Sequence, residues 1–453
     1  FVTPNTKTFV GQWYWDTMGT NIGLLRSDND NLRAVALSMV KNLFLLYDKN
    51  KLIPNAADSV QNTRSQPPFL TSMCLDIAEH LFKNDTEEKL KWYQSAYEYC
   101  KKEALSPWES HATDHGFRWF DNIKEMYTGY SPEEILHYFR PESRSDYRVL
   151  RSLVFKALDV DIENEKPFTY EKIKAVILKA LARLSNDQRK ELAEWLFSRR
   201  LLVASGMDFT ASYGLKTMPL SLEEILEPEM LLNSDKVYSR INDISPLDLN
   251  CLLYKYYGDL SFMAEKLIKA DFNKSQDYYK AEIQIWNLKR SKLKNLIMET
   301  HFSETHGCFY NYDVQNLKPI TGLPHLTHYA YPLFAGLVDE NHALELTKQI
   351  GSLTTEFGVK LTSERTGYQW DFNMWPLQVW IAVQGLRKYG FENEAKNISD
   401  GYIRCVEKVF RSEGSFYEKY NAENGTIETD GRYPSEAGFS WGAAVYLGLC
   451  MEK

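Results

Sequence analysis

Apolar residues recur at helical spacing along most of the chain. Between residues 29 and 47, Leu32, Val35, Leu37, Val40, Leu43 and Leu46 mark one face of a helix. The pattern predicts a second helix at 67–82, whose two leading prolines sit where missing donors are tolerated. A third is predicted at 86–104, opened by an Asp85-Thr86 capping signal. Further helices are predicted at 221–232, 246–258, 260–269, 276–301, 341–357, 376–389, 392–410 and 440–451. Strand-like alternation is rare and short.

Most of these helices fall in pairs joined by short loops that carry Trp, Tyr, Asp, Asn and Gly. Paired antiparallel helices repeated along a chain build an open α-solenoid or a closed α/α toroid. No fixed-period repeat is visible, which disfavours an open array. The expected fold is all-α, a closed toroid whose loops at one mouth form a site. Residues 144–203 differ in texture, being rich in Lys, Arg, Glu and Leu with few aromatics or glycines. They read as a helical insertion containing an amphipathic hairpin, 170–184 and 187–202, broken near Ser185-Asn186. A stretch of the ring itself fits that texture equally well. The expected organisation is a toroid of residues 1–143 and 204–453 with an insertion at 144–203.

Composition narrows the partners. The net charge of −8 disfavours nucleic acid or an anionic membrane. No apolar run approaches the roughly 18–20 residues of a membrane span. Six cysteines are scattered without C-x-x-C or zinc spacing, so buried free thiols are expected, with no metal site and no cofactor. No signal peptide is visible, and a chain beginning at Phe1 rather than Met is expected to have lost residues upstream. The compartment stays open, cytoplasmic or set by an upstream targeting segment, and so does the oligomeric state. The chain holds 11 Trp, 28 Tyr and 23 Phe, enough either for a large core or for a site that stacks rings against sugar faces.

Two carboxylates stand out. Asp208 lies in Ser205-Gly206-Met207-Asp208-Phe209-Thr210, and Glu418 in Phe416-Tyr417-Glu418-Lys419-Tyr420-Asn421. Such settings suit a general acid and a general base flanking a glycosidic bond. They are 210 residues apart, so only a large fold closing on itself unites them. Read alone, Asp208 also fits a helix N-cap and Glu418 a solvated surface acid. The hydroxyls of Tyr417 and Tyr420 are placed to orient Glu418 or a water, and Lys419 to keep it ionised. The surrounding loops are Gly11-Gln12-Trp13-Tyr14-Trp15-Asp16-Thr17, Ile53-Pro54-Asn55, Arg64-Ser65-Gln66-Pro67-Pro68-Phe69 and Phe139-Arg140-Pro141-Glu142-Ser143. Gly367-Tyr368-Gln369-Trp370-Asp371 and Gly438-Phe439-Ser440-Trp441-Gly442 follow. Asn, Arg and Gln offer directional donors of the kind that fix sugar hydroxyls.

In this order the loops form a specific set. The chain resembles the trehalase family of inverting glycoside hydrolases, with motifs matching from Gly11 to Gly442. The resemblance implies an (α/α)6 toroid, Asp208 as acid and Glu418 as base. It also implies substrate contacts at Trp15, Asp16, Asn55, Arg64, Arg140, Glu142 and Trp370. Gln66, Gln369 and Trp441, from the same motifs, join them as candidate substrate-binding residues. The implied activity is hydrolysis of a small α-glucoside, trehalose or a related disaccharide. The implied partner is therefore a small carbohydrate.

Several motif positions depart from the family. Thr8 stands where the family has an arginine, and the acid loop carries Ala204, Met207 and Ser212 at altered places. Asp371-Phe372-Asn373-Met374-Trp375 is shortened, and Arg432 replaces an acid before Tyr433. Ser-Gly-Met-Asp and the Phe-Ser-Trp-Gly ending lean towards the related processing α-glucosidases and the mannosylglycerate and glucosylglycerate hydrolases. The alternatives are therefore the same chemistry on an α-glucosyl oligosaccharide or a glycosylglycerate, and a non-catalytic sugar-binding toroid.

Overall fold

Capping side chains decide where many of the helices begin. In the computed structural model, which describes residues 2–57, 64–110, 112, 131–136, 170–208, 210–217, 237–268, 275–431 and 433–452, α1 spans Tyr14–Arg26 and α2 Asp30–Asn50. Asn29 caps α2 by accepting from the Asn31 and Leu32 N–H groups. Next come α3 (Leu70–His80) and α4 (Thr86–Glu103), the latter capped by Asp85 as its sequence predicts. A short α5 (Pro132–Leu136) precedes α6 (Tyr170–Ala182) and α7 (Asn186–Ala204). The predicted break between these two is a capping box, Ser185 with Gln188. The rest are α8 (Leu247–Ile268), α9 (Gln276–Thr300), α10 (Leu326–Ala335), α11 (Glu340–Leu353), α12 (Pro376–Lys388), α13 (Glu392–Glu413) and α14 (Ser440–Met451).

Six of these helices form a closed inner ring. α1 packs on α3, α3 on α8, α8 on α10, α10 on α12, α12 on α14, and α14 on α1 again. α2, α4, α9, α11 and α13 pack outside it. This is an (α/α)6 toroid. The inner helices run parallel: Trp15, Trp375 and Trp441 stand at the starts of α1, α12 and α14, while Arg26, Phe334 and Lys388 stand at the ends of α1, α10 and α12. One mouth therefore collects helix N-termini and the other C-termini.

Buried polar groups lock the ring. Tyr14 Oη accepts from the Leu70 N–H at 3.0 Å and donates to Glu103 Oε1 at 2.7 Å. The other Glu103 oxygen accepts from Tyr256 Oη at 2.7 Å, so one carboxylate joins α1, α3, α4 and α8. Burial pushes this carboxyl up to about 7, against the lowering pull of the two phenols.

The seam between α1 and α14 is made of small residues. A Cβ on Gly23 would lie 2.6 Å from Ala444 Cα, one on Gly19 2.9 Å from Trp441 Cβ, and one on Gly448 2.5 Å from Ile22 Cγ2. The first and last inner helices meet backbone to backbone there.

The structure departs from the expected elements in instructive ways. Residues 11–17 are not a loop throughout, because Trp15 and Asp16 already belong to the first turn of α1. α1 and α10 show no amphipathic stripe because nearly every residue in them is buried. The helices expected at 246–258 and 260–269 are one element, α8. Gly258 does not break it but lets the Arg290 guanidinium of α9 lie close, 3.1 Å from where a Cβ would stand. The helix expected at 341–357 stops at Leu353, where β1 (Thr354–Thr355) pairs with β2 (Gly358–Val359) in a hairpin. The helix expected at 221–232 lies outside the described residues. None of the six cysteines forms a disulfide, and all but Cys450 are buried. Among the described residues no helix is long and apolar enough to cross a membrane.

Replacing Gly23 by Ala should force α1 from α14 and cost about 1–3 kcal/mol, the usual penalty of overpacking. Gly351→Ala, in a helix with nothing within 4 Å of the new methyl, should be neutral or stabilising by roughly 0.5–1 kcal/mol. Urea midpoints of the two variants should move in these different ways. Equal midpoints would show that the seam is not tight.

Candidate active site

The first turn of a helix leaves backbone N–H groups without helical partners, and at α1 the neighbouring loop supplies acceptors. Gln66 Oε1 accepts from the Trp15 N–H at 3.1 Å. The Asn55 carbonyl accepts from the Tyr14 N–H at 3.1 Å, and the Arg64 carbonyl from the Asn55 N–H at 2.7 Å. These bonds draw Trp15, Asp16, Arg64 and Gln66 onto one cavity of about 220 Å³ at the N-terminal mouth of the ring. Asn55 does not line it. Fully buried, Asn55 donates from Nδ2 to the Val203 carbonyl at 3.2 Å and braces the end of α7.

α7 delivers the loop that carries Asp208. Gly206 has φ +75°, and a Cβ there would meet the Trp15 ring at 2.6 Å, so glycine lets the chain pass the indole. The capping role open to Asp208 falls instead to Thr210, whose Oγ1 accepts from the Ser212 N–H at 3.0 Å. Asp371 grips the same loop. It accepts from the Ala211 N–H at 3.0 Å and from the Thr210 and Thr366 hydroxyls. Burial pushes the Asp371 carboxyl up to about 6, against these three bonds. Asp208 Oδ1 accepts from Gln369 Nε2 and from Trp370 Nε1, each at 3.2 Å.

Glu418 faces the same cavity from the opposite part of the chain. Its backbone is pinned by Trp441 Nε1 donating to the Glu418 carbonyl at 2.9 Å and by its own N–H donating to the Glu436 carbonyl at 2.9 Å. Tyr433 Oη donates to Oε1 at 3.0 Å, while Oε2 is buried with no hydrogen-bond partner among the described residues. The tyrosines flanking Glu418 in sequence do not perform this task. Tyr420 Oη is occupied by the Tyr417 N–H at 2.8 Å. Burial pushes Glu418 up to about 8, against the lowering pull of the Lys419 charge and the Tyr433 hydroxyl, with Asp208 and Asp16 adding to the rise. Asp16, also buried, is pushed up to about 7 by desolvation.

Lys419 links the two carboxylates without touching either. Fully buried, its ammonium donates to the Tyr433 carbonyl at 3.1 Å and to Gln369 Oε1 at 3.4 Å. That second bond turns the Gln369 amide so that its NH2 points at Asp208. Gln369 is thus a brace of Asp208 and not part of the cavity lining.

Aromatic rings complete the wall. Trp370 and Trp375 stack at 3.6 Å, and contacts of 4.9–5.9 Å run on through Trp15, Trp441, Phe439, Phe9 and Trp13. Of the sequence-derived candidates, Trp15, Asp16, Arg64, Gln66, Asp208, Trp370, Glu418 and Trp441 share this lining. Arg140 and Glu142 lie outside the described residues, as does Arg432. Phe9, Trp13, Val203, Gly206, Trp375, Tyr433 and Phe439 were not anticipated as lining. Most of them sit inside the quoted motifs or one residue outside them, which was the available signal. At the altered positions, Thr8 Oγ1 donates to Glu436 at 3.2 Å, and Ser212 packs with His328 and Asn311.

With this geometry in view, comparison with known proteins is decisive for the family. The Trehalase family profile matches residues 1–218 and 233–452. The chain belongs to the trehalase family. It is 25% identical to the periplasmic trehalase of Citrobacter koseri over 452 residues, covering 99% of this chain and 67% of that protein. Its fold is similar to that of neutral trehalase Nth1 from Saccharomyces cerevisiae, with a TM-score of 0.72, 22% identity, and 99% and 73% coverage of the two chains. It is also similar to a GH63 mannosylglycerate hydrolase from Thermus thermophilus, with a TM-score of 0.57, 16% identity, and 99% and 95% coverage. This trehalase-family chain is a glycoside hydrolase.

Asp371→Ala should loosen the Asp208 loop of the trehalase-family site. Turnover of its glycoside should fall on the order of 10²-fold, the scale of an ångström-sized misplacement, with a much smaller change in KM. Steady-state kinetics check this, and an unchanged turnover would show that Asp371 does not position the loop.

Proposed function

We propose that this protein is an inverting α-glycosidase that hydrolyses a small α-glucoside, trehalose or a related disaccharide. The observation carrying the reading is that Asp208 and Glu418 share one aromatic-walled cavity, with Glu418 Oε2 buried and without a partner among the described residues. A buried carboxylate oxygen with no donor is an unsatisfied acceptor, and a substrate water would satisfy it. Asp208 is assigned as the acid. Its Oδ1 is held by two N–H donors, which fix the carboxyl in the cavity. Asp208 protonates the glycosidic oxygen as its bond to the anomeric carbon breaks. Glu418 takes a proton from a water, whose oxygen bonds to the anomeric carbon from the opposite face, inverting it.

Trp15, Trp370 and Trp441 are assigned to stack on the apolar face of the sugar. Asp16, Arg64 and Gln66 are assigned to hydrogen-bond its hydroxyls, with Arg140 and Glu142 adding to them. Asn55 and Gln369 are assigned as braces. Residues 144–203 are proposed as an insertion that serves the site, since the ring passes from α4 to α8 through direct contact and α7 ends on the Asp208 loop. A second reading keeps the chemistry and changes the leaving group to an α-glucosyl oligosaccharide or glycosylglycerate. Thr8 supports it, because its hydroxyl is engaged by Glu436 where the family carries a cation. Retention of both carboxylates argues against a non-catalytic toroid.

Asp208→Asn and Glu418→Gln should each lower kcat by roughly 10²–10⁴-fold, the range of a lost general acid or base. Proton NMR of the wild-type reaction on trehalose should show β- and α-glucose released in equal amounts, the β anomer from the attacked sugar and the α anomer from the leaving one. Wild-type turnover in both variants, or release of α-glucose alone, overturns the assignment.

Tyr433→Phe removes a donor that lowers the Glu418 pKa, so that pKa should rise further. The base must be ionised, so the acid limb of kcat/KM against pH should move up by about one unit. Activity lost near neutrality should then return at alkaline pH. An acid limb identical to wild type would exclude Glu418 as the base.

A further inference from the structure

The toroid has a second mouth, where the inner helices end. There the described residues enclose a cavity of about 460 Å³, larger than the one holding Asp208 and Glu418 and within the usual size of a ligand pocket. We infer that it binds a small phosphorylated molecule, with the phosphate held by Lys255, Arg387 and Lys388 and the organic part lying on Phe334 and Trp380.

The charges on this lining are arranged asymmetrically. Four cations line the cavity, Arg26, Lys255, Arg387 and Lys388, against one carboxylate, Asp76. Arg26 is already committed. It bonds Glu452 at 2.8 Å and Asp76 at 3.3 Å, and its guanidinium lies 4.7 Å over the Trp380 ring. The other carboxylates within ion-pair distance do not line the cavity. Asp259 lies 2.6 Å from the Lys255 ammonium and also accepts from Thr71, while Arg387 bonds Glu452 and approaches Glu392 at 3.8 Å. Asp259 and Glu452 thus pair with Lys255 and Arg387 from outside the lining.

Lys388 has no carboxylate within ion-pair distance among the described residues, and its ammonium donates to the Phe334 carbonyl at 2.9 Å. Lys388 is exposed as a residue, but its ammonium is turned onto that carbonyl. Desolvation there, with the Lys255 and Arg290 charges and against the raising pull of Asp259, pushes it down to about 8. Like charges crowded this way gain from an incoming anion. Helix C-termini at this mouth attract cations and account for part of the cluster, but they do not account for its surplus over the lining carboxylates. Separate ammonium and guanidinium groups around one space match a tetrahedral, doubly charged phosphate better than a planar carboxylate, which pairs with a single arginine fork.

Calorimetric titration with phenyl phosphate and with inorganic phosphate, at constant ionic strength, tests the site. The wild-type protein should bind both, phenyl phosphate more tightly because its ring reaches Phe334 and Trp380. Lys255→Gln with Lys388→Gln keeps amide donors for Asp259 and the Phe334 carbonyl, so the fold should hold. Binding should weaken roughly tenfold or more, while glycoside turnover stays at the wild-type level. Arg387→Gln alone should weaken binding in the same direction. No heat of binding to the wild type, or equal affinity in the double variant, overturns the inference.

Discussion

The shape of the candidate active-site mouth depends on how closely α1 can approach α14. Gly19, Gly23 and Gly448 bring the first and last inner helices to backbone contact, and only that approach sets Trp15 against Trp441 at 5.9 Å. Trp441 in turn holds the Glu418 carbonyl, and Trp15 packs against Gly206 beside Asp208. A wider seam would separate the two carboxylates without touching either. The ring is a distance constraint imposed across 210 residues of chain, and it is set by the absence of side chains.

Closure concentrates charge that water would otherwise dilute. Asp16, Glu418 and Lys419 are all buried around one small cavity, where unpaired charge is costly. The protein manages this by distance and relay. Lys419 is not bonded to either carboxylate, but it steers Gln369 to one and bonds the carbonyl of the tyrosine that serves the other. A direct ion pair would have anchored Glu418 as a carboxylate and occupied the oxygen that is left unpartnered. Asp371 does comparable work for the Asp208 loop, from a position its own motif made visible but whose partners, Thr210, Ala211 and Thr366, did not announce themselves.

Much of the fold was legible in the chain because amphipathic outer helices announce themselves. α2, α4 and α13 each pair a buried stripe with a solvated one. The inner helices α1 and α10 were not legible, since residues buried on all sides leave no period to read. Gly258 misled for a related reason: glycine marks close helix crossing as readily as it marks a break. At the site, motif residues carried the lining. The division of labour among them was hidden, because Asn55, Gln66 and Gln369 look alike in sequence. Only three-dimensional neighbours show that Gln66 faces the cavity while the other two brace it. Tyr433 took the place expected of Tyr417 and Tyr420 because the turn after Glu418 folds residue 433 back over the carboxylate.

The tryptophans have a consequence for observation as well as for packing. Trp370 and Trp375 lie face to face, 3.6 Å apart and 6° from parallel, with Trp15 and Trp441 beside them. Stacked indoles in a rigid, chiral setting couple their electronic transitions, so this cluster gives the protein a near-ultraviolet optical signature that originates at the site and not in the helices around it. Far-ultraviolet dichroism records whether the ring stands, while the indole bands record whether its mouth is shaped. The two need not fail together.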